Sequence, residues 1–106
     1  RWVIRDNPVL FAGLNAPAFG NAVLIGTEKV VIANNNSMIA DDGPSIVLSG
    51  GGNNIVENNT IDATGKGIIM NGSSMNSISC NVVGGNIGME ILNNCSGVDI
   101  KGNDFS

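Results

Sequence analysis

The chain has 106 residues, room for one domain, and carries 5 basic against 9 acidic residues for a net charge of −4. No basic cluster is present, so there is no Lys/Arg footprint for a phosphate backbone, which argues against nucleic acid and equally against anionic membrane surfaces. His is absent, which removes Ser-His-Asp triads, Cys-His pairs and His-based zinc sites, and no apolar run approaches the ~18 residues of a membrane span.

Asn (17) and Gly (15) are heavily used, Tyr is missing, and Ile and Val recur in short runs. That balance predicts short strands separated by tight turns. Cys80 and Cys95 make no disulfide framework; they read as buried or turn thiols, and their spacing alone leaves a bridge open.

The first element in chain order is Ile4-Arg5-Asp6-Asn7-Pro8-Val9: apolar, two spacers, Asn, one spacer, apolar. The same pattern returns at 33–38, 56–61, 78–83 and 100–105. Its asparagines are Asn7, Asn36, Asn59, Asn81 and Asn103, so the steps are 29, 23, 22 and 22 residues. A fixed period of this length means stacked supersecondary units. The long first step marks an inserted loop at 10–20 (LFAGLNAPAFG), whose two Phe residues suggest packing on the flank or against a partner. Trp2 is expected to pack on a preceding coil. Neither end resembles a polar cap, which repeat arrays need for solubility, so 1–106 reads as a solenoid segment of a larger protein.

A second apolar pair lies between the Asn motifs: Val23/Ile25, Ile46/Leu48, Ile68/Met70 and Met89/Ile91. Each is spaced by two, the period of a strand with one buried face. From the second member to the next motif the distance is 8, 8, 8 and 9 residues, whereas the opposite connection drifts. One corner of each coil is fixed and the other is elastic.

Two interior columns follow: Ile4, Ala33, Val56, Ile78 and Ile100, and Val9, Met38, Ile61, Val83 and Phe105. Each buried aliphatic contributes roughly 1.5–3 kcal/mol, provided a coil lies above and below it. The Asn column sits at a turn, where stacked amides hydrogen-bond from coil to coil and Asn tolerates left-handed backbone. These asparagines are structural.

Coils of about 22 residues with an internal Asn column describe an all-β, right-handed, single-stranded parallel β-helix of four to five coils. Through Asn-Asn-Ile-Val-Glu-Asn-Asn-Thr-Ile (53–61) and Gly-Lys-Gly-Ile-Ile-Met-Asn-Gly-Ser-Ser (65–74) the chain resembles the pectin-lyase-like superfamily, of the phage-tailspike or polysaccharide-processing type.

Chemistry, if any, is expected at the elastic corner. Asp41, Asp42 and Asp62 follow Met38 and Ile61 on adjacent coils stacked ~4.8 Å apart. Two carboxylates ~5–9.5 Å apart serve glycoside hydrolysis, and several oxygens suit Ca²⁺. Lys66 and Asn86 lie on the same corner as substrate-binding candidates. The competing reading is that Asp-Asp-Gly-Pro (41–44) is turn chemistry and Asp62 a solvated strand end. Within the resemblance, Asp41-Asp42 is similar to the Asp pair of polygalacturonases, and Gly65-Lys66-Gly67 stands near their Gly-His-Gly. The His is replaced, however, and Gly20-Asn21-Ala22 offers no preceding Asp. A pectate-lyase-like mechanism wants a basic residue over Ca²⁺ carboxylates, yet Arg1 and Arg5 lie coils away from Asp41.

Leu24, Val47 and Ile69, ending in Glu90, occupy outward positions of the second strand. Such a row suggests a neighbouring domain or a homotrimer like that of tailspikes. The expected function is recognition of an extracellular polysaccharide by a secreted or virion-associated protein. The alternatives are a glycosidase or lyase segment and a purely structural shaft.

Overall fold

The structure, a computed structural model, describes residues 2–8, 10–12, 23–36, 38–40, 44–63 and 65–105. The first coil holds β1 (Trp2–Arg5), β2 (Leu10–Ala12) and β3 (Val23–Ile25). The second holds β4 (Val30–Ala33), β5 (Met38–Ala40) and β6 (Ile46–Ser49). In the third are β7 (Ile55–Glu57), β8 (Thr60–Ala63) and β9 (Lys66–Asn71), and in the fourth β10 (Ser77–Ser79), β11 (Val82–Gly84) and β12 (Ile87–Leu92). β13 (Asp99–Lys101) opens a fifth coil, which reaches Asp104 where it bridges Val82.

Each strand pairs in parallel with its counterpart one coil away. Sheet A runs β1-β4-β7-β10-β13, sheet B β2-β5-β8-β11 and sheet C β3-β6-β9-β12. Successive strands of one coil enter different sheets, so the chain winds as a three-sided parallel β-helix. A single coil cannot bury its own apolar side chains; its neighbours do so. The apolar pairs spaced by two stack as the period predicts: Val23, Ile46, Ile68 and Met89 lie in register, as do Ile25, Leu48, Met70 and Ile91. Ile46, Leu48, Ile68 and Met70 are fully buried inside sheet C.

The second coil departs from the expected register. Ile32, not Ala33, stands between Ile4 and Val56 in the interior column of sheet A. Asn35, not Asn36, joins the Asn column, since it is Asn35 that binds Asn59. Three positions separate Asn35 from Met38 but only two separate Asn59 from Ile61, although Met38 and Ile61 are directly paired. The second coil thus spends one extra residue at this corner, and counting back from Met38 lands one position too late. The first coil does the same: Leu10 is the residue opposite Met38, while Val9 lies outside the described residues. Leu10–Ala12 belong to sheet B, and 13–20 of the inserted stretch lie outside the described residues.

Two amide ladders hold the coils in register. In the first, the backbone N–H and Nδ2 of each Asn both donate to Oδ1 of the next, through Asn7, Asn35, Asn59, Asn81 and Asn103. Each Nδ2 from Asn35 onward also donates to a carbonyl of the preceding coil: Ile4, Ile32, Val56 and Ile78 in turn. The residue before each ladder Asn has a left-handed backbone, namely Asp6, Asn34, Asn58, Cys80 and Gly102. That turn aims the amide inward, and it costs a non-Gly residue about 1–2 kcal/mol.

A second ladder occupies the corner between sheets C and A. The N–H of Val30 donates to Asn54 Oδ1 (2.9 Å), and that of Asn54 to Asn76 Oδ1 (3.0 Å). Lys29, Asn53 and Met75 precede its members with positive φ. The columnar reading of the sequence did not reach this ladder.

Candidate functional site

The predicted site residues scatter. Asp41 and Asp42 lie outside the described residues. Asp62 sits within β8, opposite Ile39 and Gly84, with its side chain exposed on the outer face of sheet B. It belongs to a strand and not to the corner loop. Lys66 begins β9 on sheet C, where its Nζ lies 2.7 Å from Glu90 Oε1 with both side chains half-buried. Glu90 therefore meets the Lys66 charge across the sheet. Asn86 is exposed at the corner between β11 and β12. Among the described residues, the structure brings together Lys66 and Glu90 but does not join Asp62 to a second carboxylate.

The outward side chains of the sheets are more organised. On sheet C, Leu24, Val47, Ile69 and Glu90 fall in one row by backbone register. Val47 and Ile69 are half-buried. Sheet A has a parallel row that sequence reading missed: Val3, Val31 and Ile55, followed by Ser77 and Asp99. Both rows are aliphatic over the first three coils and turn polar beyond them. The signal in the sequence is Val3, Val31 and Ile55 each standing one place before an interior aliphatic. The mis-set second coil concealed it.

Two further surfaces are apolar. A cleft of about 290 Å³ opens at the first coil, lined by Trp2, Val3, Ile4, Ile25, Gly26, Thr27 and Val30. Trp2 is 75% exposed there. At the opposite end, interior-column residues Ile91, Ile100 and Phe105 are 40–47% exposed, because no further coil covers them.

Comparison with protein families decides the lineage. The family model NosD, described as "Periplasmic copper-binding protein (NosD)", matches residues 17–106. The chain belongs to the NosD family. No curated protein and no solved structure matches it. The fold expected of the pectin-lyase-like resemblance is the fold found, a parallel β-helix with an asparagine ladder. The family description points outside the cytoplasm, to the periplasm, in place of the secreted or virion-associated setting expected from the sequence.

Copper in the family description calls for a donor set, and the described residues of this NosD segment do not fit one. Cu(I) takes soft thiolate and thioether ligands, Cu(II) imidazole nitrogens. His is absent. Among the described residues no three Cys, Asp or Glu side chains converge. Cys80 is a free, exposed thiol beside Gly102, and Cys95 is half-buried with its Sγ toward the Leu92 carbonyl. Met38 and Met70 are sealed inside the solenoid, while Met75 lies outside over Gly97. The sulfurs are spread over different corners and different coils.

Proposed function

We propose that this chain is a non-catalytic recognition segment of a periplasmic NosD protein: a stiff solenoid that seats a partner, either a neighbouring domain or further copies, along its lateral sheets. The copper-related setting comes from the family description; the metal itself is held by other groups. The observation that carries this reading is the pair of outward aliphatic rows, Val3–Val31–Ile55 and Val47–Ile69. Half-buried aliphatics aligned over three coils favour contact with another apolar surface, because removing them from water gains roughly 25 cal/mol per Å².

The test is size-exclusion chromatography of the protein in its native periplasmic extract, beside a Val47→Lys/Ile69→Lys double variant. The native chain is expected to elute in a larger complex, and the variant alone with an unchanged melting temperature. Co-elution of both forms at the same position would overturn the reading. A Cu(I) titration of the reduced chain against a chromophoric chelator tests the metal assignment. A stoichiometric site lost on Cys80→Ser or Cys95→Ser would return copper binding to this segment.

Recognition of a repeating glycan is the second reading, and a separate observation favours it. Exposed polar rungs repeat between the third and fourth coils at the corner of sheets C and A. Asn93 Nδ2 donates to Asn71 Oδ1 at 2.6 Å, and Ser96 Oγ to Ser74 Oγ at 3.3 Å. Calorimetry with oligosaccharides, repeated on Asn71→Ala, tests it; no heat from any of them would end it.

A further inference from the structure

The fourth coil leaves one strand edge open in sheet C. β12 pairs only with β9; its other edge has no strand partner. Along β12 the interior-facing positions are Met89 and Ile91, in register with Ile68 and Met70. The latter two are fully buried, whereas Ile91 is 47% exposed. Ile87 and Leu92 on the same strand are exposed as well. An unpaired edge with alternating apolar side chains is a template for another strand.

Neighbouring edges are blunted and this one is not. β13, the edge of sheet A at the same end, has three residues and carries the ion pair of Asp99 and Lys101, 3.2 Å apart. Short length and charge are the usual protections of an edge. β12 has six residues, no Pro and no Lys, and its single charged side chain, Glu90, is already turned to Lys66. Phe105 packs over Gly88 and closes the first part of the strand, so the open seat runs from Met89 to Leu92.

A second copy of the solenoid does not fill this seat by stacking end to end. β13 already occupies sheet A one layer above β10. A first coil set upon β13 would hold its own β3 two layers above β12, with one layer of sheet C empty between them. What fits is a single strand.

We infer that the β12 edge is a strand-addition site, taking an extended segment of a partner polypeptide with aliphatic residues at alternate positions. Main-chain hydrogen bonds along β12 supply the attachment, and the alternating side chains over Met89 and Ile91 supply the selectivity, as in other strand-addition complexes. Opposite Glu90, the outward position of the added strand favours a neutral or basic residue, since like charges directly across strands repel.

The experiment uses the 106-residue chain and a fluorescent peptide with the sequence of residues 65–72, the strand type that β12 already accepts on its other edge. Binding is followed by fluorescence anisotropy and by hydrogen exchange of the β12 amides. The expected result is saturable binding with slowed exchange at Met89–Leu92. Ile91→Lys should weaken it by roughly tenfold or more, with little change in melting temperature because Ile91 is already exposed. Three results would overturn the inference: a shuffled peptide that binds equally well, unaltered exchange along β12, or a concentration-dependent dimer that protects β12 without peptide. The last would assign the edge to a second copy.

Discussion

Asn59 donates both its backbone N–H and its Nδ2 to a single oxygen, Oδ1 of Asn81, at 2.9 and 3.0 Å. Asn81 Nδ2 in turn reaches the Val56 carbonyl at 3.0 Å. One side chain thus satisfies two buried donors and one carbonyl, all from the preceding coil. The ladder fixes coil-to-coil register because a slip of one residue would orphan every member at once.

Asn81→Ala is therefore expected to destabilise the chain by about 2–4 kcal/mol, the cost of leaving two buried donors without an acceptor. Asn103→Ala, at the half-buried end of the same ladder, should cost less because water reaches the groups it exposes. Urea denaturation of the two variants measures the difference, and equal midpoints would contradict a buried ladder.

The second ladder carries its own prediction. Asn54 is buried, and its Oδ1 is the acceptor for the Val30 N–H. Asn54→Ala should cost about 1–3 kcal/mol, read from the shift in the urea midpoint. Hydrogen exchange at Val30 should accelerate in the same variant. A variant with native exchange at Val30 would show that this oxygen is dispensable.

Both ladders bear on how far the sequence could be read. Asn59, Asn81 and Asn103 were legible because a strict step of 22 residues and flanking aliphatics coincide there. At 34–36 three asparagines stand in a row and Ile32 adjoins Ala33, so residue type could not choose among registers. The distance to Met38 chose wrongly because that corner holds an extra residue. Asn54 and Asn76 also stand 22 residues apart, but Asn54 sits among other asparagines with apolar Val30 in its column, so the period was hidden. The outward row of sheet C was legible from strand alternation alone. That of sheet A was not, because it depended on the register of the second coil. Expected chemistry at Asp62 failed for a simple reason: the residue after an inward Ile in a strand faces outward, and Asp62 follows Ile61.

Met70 and Ile91 occupy one interior column, and only Met70 has coils on both sides. Met70→Ala should cost about 2–5 kcal/mol through lost burial and the cavity left behind. Ile91→Ala should cost under about 1 kcal/mol, since Ile91 already meets solvent. Thermal unfolding ranks the two. If Ile91→Ala proves as damaging as Met70→Ala, this end of the solenoid is covered in solution.

Gly67 and Gly65 flank Lys66 yet tolerate very different changes. A Cβ on Gly67 would run into Val83 Cγ1 and the Gly88 carbonyl oxygen, whereas one on Gly65 would meet nothing within 4 Å. Gly67 is buried between strands that are hydrogen-bonded into separate sheets, so neither neighbour can retreat without moving backbone. Gly67→Ala is expected to cost about 1–3 kcal/mol by overpacking, and Gly65→Ala to stay within about 0.5 kcal/mol of the native chain. Comparing their urea midpoints also tests the reading of Gly65-Lys66-Gly67. A structural Gly67 explains the second glycine as room for the Gly88 backbone, and a variant at Gly67 with native stability would remove that explanation.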